Sequence, residues 1–255
     1  MMGCRDSGSP HLLHMNSTKP NRLLNAIRLP LYLTLMLWAI HLVKFALGLD
    51  ALARLGVFPR HVDGLWGILF SPLLHSDWGH LLSNTPPLLM LGAIIFFFYR
   101  RIALPAFFMI YFLTGLAVWI FGRPVFHIGA SGVIYGLVAF VFWNGIFRRN
   151  LKSIVLALIV VFYYGSMFAG ILPGQEGISW ESHLLGGLVG IFVSFWYRDD
   201  LEDDEHRELP SWEREEPQAP RYFLDRDTFE KTRAERQREQ QDNDDLSGWF
   251  SSRTW

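Results

Sequence analysis

The sequence has very little cysteine and few charged residues for its length. A single cysteine, Cys4, occurs in 255 residues, which excludes an internal disulfide and a cysteine-rich metal site. Charged residues make up 18% of the chain and hydrophobic residues 51%, a composition too apolar for an ordinary soluble domain. We therefore expect a membrane protein.

Carboxylates are scarce in the first 198 residues. That part holds 6 Asp and Glu against 14 Lys and Arg, whereas the remainder holds 18 acidic and 9 basic residues. We expect 199–255 to be an acidic, mostly disordered cytoplasmic tail, weakly helical at 230–241. Residues 1–25 contain no continuous apolar run. They are interpreted as a cytoplasmic N-terminal tail without a cleavable signal peptide.

Six apolar stretches are long enough to cross a bilayer, because a spanning helix needs roughly 20 apolar residues. They lie at 26–47, 78–99, 103–121, 129–147, 152–170 and 181–197. Lys and Arg are concentrated before the first stretch and in the loops after the second and fourth, which predicts that these segments and both termini are cytoplasmic. The predicted fold is an all-α membrane protein with a six-helix bundle over 26–198. This pattern suits a bacterial inner membrane.

Polar side chains occur on three of the predicted helices at one level of the membrane. Ser131, His183 and Asn84 each lie 15–17 residues before an arginine at the cytoplasmic end of their helix. With about 1.5 Å of rise per residue, all three lie roughly 22–26 Å above the cytoplasmic boundary of a core about 30 Å thick. Polar groups within a bilayer are costly and indicate function. We therefore predict one site in the outer part of the membrane.

Ser131 and His183 are the residue types of a nucleophile and its general base. A serine hydroxyl becomes a good nucleophile when a base removes its proton, and a neutral imidazole does this near neutral pH. Small residues four apart on both helices would let these helices approach closely. They are Gly132 and Gly136 on one helix, and Gly186 and Gly190 on the other. No aspartyl pair can operate within the membrane and no H-E-x-x-H motif is present, so a Ser–His dyad without an acidic third member remains.

Other side chains at this depth are candidates for stabilising the oxyanion of acyl transfer. Asn84 and His80, which share a face of the second helix, could donate hydrogen bonds to it, as could the backbone N–H of Ser131. Alternatively, Asn84 and His80 tie the second helix to its neighbours. Tyr135, one turn after Ser131, would pack against the imidazole and orient it, or would have a structural role alone.

The remaining polar residues are given structural roles. Asp77 is predicted to cap the second helix, and His41 and Lys44 to extend their polar ends toward the membrane surface. His127 has no constellation of polar residues around it in the sequence. A metal site built from His75, His80 and His183 would lack a carboxylate or cysteine at the same depth, so no metal and no other cofactor is expected.

Three motifs, on the second, fourth and sixth predicted helices, resemble those of the rhomboid family of intramembrane serine proteases. They are H-x4-H-x3-N at His75, His80 and Asn84, G-x-S-G-x3-Y at Gly129, Ser131, Gly132 and Tyr135, and H-x2-G-x3-G at His183, Gly186 and Gly190. The resemblance covers about 26–198. It implies a serine endopeptidase of the lipid bilayer that cleaves single-pass membrane proteins through an acyl-enzyme, with Ser131 and His183 as its dyad.

The same resemblance implies further roles, and the sequence departs from the family pattern in three places. His80, Asn84, Gly129 and Tyr135 would belong to the oxyanion or substrate-binding site, and the fifth helix with the loop before the sixth would gate substrate entry. The departures are Trp66-Gly67 where Trp-Arg is common, Ser182 where alanine is frequent, and Pro86-Pro87 within the second helix.

No nucleic-acid partner is expected. Two alternatives stay open: a catalytically silent rhomboid-like protein that binds transmembrane helices, and a channel or transporter, which would need polar side chains at every depth.

Overall fold

The computed structural model describes residues 22–174, 179–202 and 230–251, which belong to two compact units divided after His206. The described part of the first unit is helical. Its α-helices are α1 (Arg22–Ala46), α2 (Trp66–Phe70), α3 (Trp78–Phe98), α4 (Ala103–Phe121), α5 (Ser131–Arg148), α6 (Leu151–Tyr164) and α7 (Trp180–Trp196). Short 3-10 helices cover Asp50–Leu55, Val62–Leu65, Ser71–Leu73 and Gly165–Ile171. Val57 and His127 form an isolated antiparallel bridge.

Five segments of this unit are long and apolar enough to cross a membrane. They are Arg22–Ala46, Trp78–Phe98, Ala103–Phe121, Ser131–Arg148 and Leu151–Ile171. These segments match the first five predicted stretches to within four residues at each end, and α3 continues through Pro86-Pro87. The sixth predicted stretch corresponds to α7, which has 17 residues.

The fifth predicted helix changes its winding before it ends. Its α-helical part stops at Tyr164, and the 3-10 helix Gly165–Ile171 completes it. Glycines at 165 and 170 weaken α-helix formation there. Two carbonyl groups of the 3-10 helix accept hydrogen bonds from side chains of α5 and α7. This contact places the end of the fifth segment beside the predicted site.

α5 is the central helix of the bundle. Of its spanning residues, 56% are buried, against 17–33% for the other four segments. It packs against α3, α4, α6 and α7. In lipid, such packing is stabilised mainly by van der Waals contact, because the membrane is as apolar as the helix surface. Residues at the start of α5 are therefore held by neighbours on several sides.

α5 and α7 touch through their backbones. A Cβ atom at Gly186 would lie 2.0 Å from the carbonyl oxygen of Gly132, and one at Gly190 would lie 2.1 Å from the carbonyl oxygen of Gly136. Both positions are too close for any side chain. The prediction that these four glycines bring the two helices together is confirmed.

Lys44 and His41, near the end of α1, are buried instead of extending toward the membrane surface. The ammonium group of Lys44 donates hydrogen bonds to the carbonyl groups of His75 and Ser76, at 2.9 and 3.0 Å. His41 packs edge-on to Trp78, with ring centroids 4.5 Å apart. The prediction of an extended Lys44 is therefore wrong: charge-assisted hydrogen bonds tie the end of α1 to the turn that precedes α3.

Gly67 stands where the rhomboid pattern that the sequence resembles commonly has an arginine, and the packing of α2 explains the glycine. A Cβ atom at this position would lie 2.2 Å from backbone atoms of Gly56 and Val57. The preceding Trp66 is exposed. In this fold the first loop passes so close to α2 that position 67 has no room for a side chain.

The second unit contributes one described helix, α8 (Arg233–Ser251), which is longer than the weak helix predicted at 230–241. Its start is capped by Glu235, whose carboxylate accepts from the N–H of Thr232 at 2.8 Å. Lys231 pairs with Glu239. The predictions for 1–21, 175–178, 203–229 and 252–255, which include part of the loop before the sixth predicted helix and most of the acidic tail, lie outside the described residues.

Candidate active site

Ser131 and His183 meet between α5 and α7. Ser131 is the first residue of α5, and His183 lies in the first turn of α7. The Oγ atom of Ser131 is 2.8 Å from Nε2 of His183, which is a hydrogen-bond distance. The structure thus brings together the two residues predicted as nucleophile and base.

The other nitrogen of His183 fixes which form of the ring is present. Nδ1 lies 2.8 Å from the carbonyl oxygen of Gly170, and because a carbonyl oxygen can only accept, Nδ1 must carry the hydrogen. The lone pair of the neutral ring is then on Nε2 and faces Ser131. A backbone carbonyl group therefore occupies the place that a carboxylate has in a Ser-His-Asp triad.

Tyr135 packs against one face of the same imidazole. Its ring stacks on His183 with the centroids 4.1 Å apart and the planes 9° from parallel. Its hydroxyl group donates to the carbonyl oxygen of Met167 at 2.6 Å. The 3-10 helix Gly165–Ile171 thus supplies one carbonyl group to Tyr135 and, through Gly170, another to His183. The expected packing of Tyr135 against the imidazole is confirmed.

His80 and Asn84 face the same cavity as Ser131, on the α3 side. Asp77 caps α3 as predicted, since its carboxylate accepts from the N–H of His80 at 2.9 Å. Nδ1 of His80 is 3.2 Å from Oγ of Ser76, and Nδ2 of Asn84 donates to the carbonyl oxygen of His80 at 2.9 Å. The side chains of His80 and Asn84 therefore form these hydrogen bonds with α3 or with the turn before it, and not with Ser131.

Gly129 lets the chain pass close to His80 just before α5 begins. Its φ is +110°, a backbone conformation that strongly favours glycine. A Cβ atom here would lie 2.5 Å from Cε1 of His80. The N–H of Gly129 donates to the carbonyl oxygen of Ser71 at 2.8 Å. Gly129 therefore acts through close approach, which brings Ser131 next to α3.

A cavity of about 980 Å³ opens in front of the Ser131–His183 pair. Five predicted site residues line it, namely His80, Asn84, Ser131, Tyr135 and His183. Its volume is at the upper end of the range for ligand sites, which leaves space for a short extended peptide. Within the described ranges, no cluster of three or more His, Cys, Asp or Glu residues could hold a metal ion. The contact between Ser131 and His183 is the arrangement that nucleophilic attack by an activated hydroxyl group requires.

The loop before α5 is bonded to the first turn of α7 at the rim of this cavity. The guanidinium group of Arg123 pairs with the buried carboxylate of Glu181, and this hydrogen bonding raises the pKa of Arg123. The ring of His127 contacts Oγ of Ser179 and the carbonyl oxygen of Arg123. This partner of His127 could not be recognised in the sequence, because Ser179 is 52 positions away.

These features define a multi-pass membrane protein whose described part is helical, with a serine–histidine pair beside a cavity. The family model described as the rhomboid domain matches residues 62–199, which is more than half of the chain. The chain belongs to the rhomboid family.

Similar curated proteins are uncharacterized proteins of mycobacteria. Those of Mycobacterium tuberculosis and Mycobacterium bovis are 38% identical to this chain over 149 residues, which cover 55% of this chain and 62% of each relative. An uncharacterized protein of Mycobacterium leprae is 36% identical over 151 residues, covering 55% of this chain and 59% of the relative. The chain therefore matches less than two thirds of the length of these relatives.

Proposed function

We propose that the chain is an intramembrane serine endopeptidase that cleaves single-pass membrane proteins in or near their transmembrane segments. The observation that carries the proposal is the 2.8 Å contact between Oγ of Ser131 and Nε2 of His183, beside a cavity and with Nδ1 held by Gly170. Rhomboid proteins are generally intramembrane serine proteases, so membership of the family supports the same activity.

The proposed reaction proceeds through an ester on Ser131. Nε2 of His183 takes the hydroxyl proton as Oγ attacks the carbonyl carbon of the scissile peptide bond. The tetrahedral intermediate collapses, its C–N bond breaks, and the imidazolium gives its proton to the leaving nitrogen. Water, deprotonated by His183, then attacks the ester, which releases the new carboxyl group and restores Ser131.

We propose Asn84 as the first side-chain donor to the oxyanion. Its amide nitrogen carries two hydrogens, of which one is used by the carbonyl group of His80. The hydroxyl group of Ser76 donates to Asp77 at 2.6 Å, so Nδ1 of a neutral His80 ring donates to Ser76. Nε2 of this ring then carries no hydrogen for the oxyanion, which is why Asn84 comes before His80. The N–H of Ser131, at the start of α5, is a further donor because the first amides of a helix lack partners within it.

We further propose that α7 is a sixth membrane crossing and that both chain ends are cytoplasmic, as in a bacterial inner membrane. The orientation rests on the concentration of Lys and Arg before the first spanning segment and in the loops after the second and fourth. The support for the sixth crossing comes from Arg148 at the end of α5. Its guanidinium group donates to the carbonyl oxygens of Tyr197 and Asp200, at 3.0 and 2.8 Å, just after α7 ends. α5 and α7 thus begin together at the Ser131–His183 pair and end at the same level.

The activity is tested with the protein in liposomes together with a model single-pass substrate. We expect two fragments, with ¹⁸O from labelled water in the new carboxyl terminus. We also expect a serine-directed fluorophosphonate to label Ser131, as located by peptide mass. A catalytically silent, helix-binding protein would retain the intact substrate without producing fragments or a labelled serine, and that result would reject the proposal.

Two substitutions at Tyr135 are expected to lower kcat to different extents. Tyr135→Phe keeps the ring on His183 but loses the hydrogen bond to Met167, so kcat should fall by about 3- to 10-fold, as for the loss of one hydrogen bond. Tyr135→Ala removes the stacked ring, and kcat should fall by about 100-fold as the base loses its orientation. Equal losses in the two variants, measured as initial cleavage rates, would contradict a role for stacking.

A further inference from the structure

His127, on the loop before α5, has a hydrogen-bond partner for both of its ring nitrogens and both of its backbone groups. Its N–H and C=O pair with Val57, each at 2.9 Å. Nε2 is 3.0 Å from the carbonyl oxygen of Arg123, and Nδ1 contacts Oγ of Ser179. Because the carbonyl oxygen can only accept, Nε2 carries the hydrogen and the neutral ring accepts at Nδ1. Burial lowers the pKa of His127 and so favours this neutral form.

The same assignment of donors and acceptors extends to Ser182, the residue before His183. Since Ser179 donates its hydroxyl hydrogen to His127, its oxygen accepts from the hydroxyl group of Ser182, 2.8 Å away. The carbonyl oxygen of Ser179 accepts from the N–H of His183 at 3.3 Å. Ser179 is therefore held by His127 through its side chain and bonded to His183 through its backbone.

A second contact joins the same loop to the same turn of α7. Arg123 pairs with Glu181, two residues before His183. Glu181 is buried, so this charge depends on Arg123 as its partner. Two separate contacts to one helical turn fix its rotation about the helix axis, and that rotation decides where the His183 ring points.

We propose that His127 is a positioning residue for His183: by holding Ser179 it fixes the first turn of α7, so that Nε2 of His183 stays on the hydroxyl group of Ser131. This inference rests on the proposed protease function. Since Val57 belongs to the loop after α1, His127 also connects that first loop to the base.

Two substitutions separate the two nitrogens of the His127 ring. His127→Asn places an amide oxygen near the position of Nδ1 and keeps an acceptor for Ser179. His127→Gln reaches the position of Nε2 and keeps the donor to Arg123, but it loses that acceptor. We measure kcat and KM in liposomes, together with the rate of fluorophosphonate labelling at Ser131, which requires the base but no docked substrate.

We expect His127→Gln and Ser179→Ala to lower kcat and the labelling rate about 10- to 100-fold, the cost of a misplaced base, with KM within about threefold of wild type. His127→Asn should cleave several-fold faster than His127→Gln. His61→Gln is the matched control, because the side chain of His61 is 66% exposed in the loop after α1, and it should match wild type.

Three results would overturn the positioning role. They are equal kcat values for the Asn and Gln variants, an effect confined to KM, and lowered thermal stability with unchanged labelling. If wild type itself neither cleaves nor labels, the proposed protease function is rejected instead.

Discussion

Ser131→Ala is expected to reduce cleavage by at least about 10⁴-fold, because a methyl group cannot form the acyl-enzyme. His183→Ala should cause a loss of similar size, since the described residues then offer the hydroxyl group no base within hydrogen-bond distance. The double variant should be no worse than either single variant, because residues that act as a unit do not contribute additively. Single-turnover cleavage in liposomes, with enzyme in excess over substrate, measures all three.

Ser194→Ala is the matched control for Ser131→Ala. Ser194 is fully buried in α7, and its hydroxyl group has no hydrogen-bond partner within the described part of the chain. Its removal should leave cleavage at the wild-type rate and stability equal or slightly higher, since an unpaired buried hydroxyl is lost. Cleavage that survived Ser131→Ala would assign the activity to another nucleophile.

The positions of the Ser131–His183 pair and of the long helices follow from properties that the sequence displays directly. Apolar length marks the spanning segments, because lipid requires helices of about 20 residues. The distance in sequence from the arginines predicted to be cytoplasmic to Ser131, His183 and Asn84 predicts a common depth for these three residues. The pattern of glycines predicts which helix faces touch, since a missing Cβ is visible in the sequence.

Contacts made by backbone carbonyl groups could not be predicted in this way. Every residue has a carbonyl group, so nothing in the sequence identifies Gly170 as the partner of His183 or Met167 as the partner of Tyr135. The carbonyl groups that accept from Lys44 were hidden for the same reason. The change from α-helix to 3-10 helix after Tyr164, which sets the carbonyl groups of Met167 and Gly170 in place, was also missed.

Contacts between residues far apart in the sequence are the second kind of feature that could not be predicted. Ser179 and His127 occur in different loops, and Glu181 is 58 positions from its partner Arg123. Their contacts arise because the approach of α5 and α7 brings the loop before α5 onto the turn that starts α7. The glycine contact between these two helices thus brings together both the Ser131–His183 pair and the residues that bond the loop before α5 to the first turn of α7.

Gly186→Ala is therefore expected to have the second largest effect. Its Cβ would lie 2.0 Å from the carbonyl oxygen of Gly132, so α5 and α7 must separate. A shift of about 1 Å would carry Nε2 of His183 out of hydrogen-bond distance of Ser131, with a loss of about 100-fold or more in kcat. The clash should also lower the free energy of unfolding by about 1–3 kcal/mol.

Gly187→Ala is the matched control, since it makes the same change one residue further along α7, where nothing lies within 4 Å of the new Cβ. It should cleave at the wild-type rate and be up to about 1 kcal/mol more stable, as alanine favours helix. Cleavage rates and thermal unfolding in detergent compare Gly187→Ala with Gly186→Ala, and equal behaviour of the two variants would contradict the close contact.

Gly190→Ala, one turn further from His183, meets the carbonyl oxygen of Gly136 at 2.1 Å. It should destabilise the protein as much as Gly186→Ala but reduce kcat less, because it separates the helices below the Ser131–His183 pair.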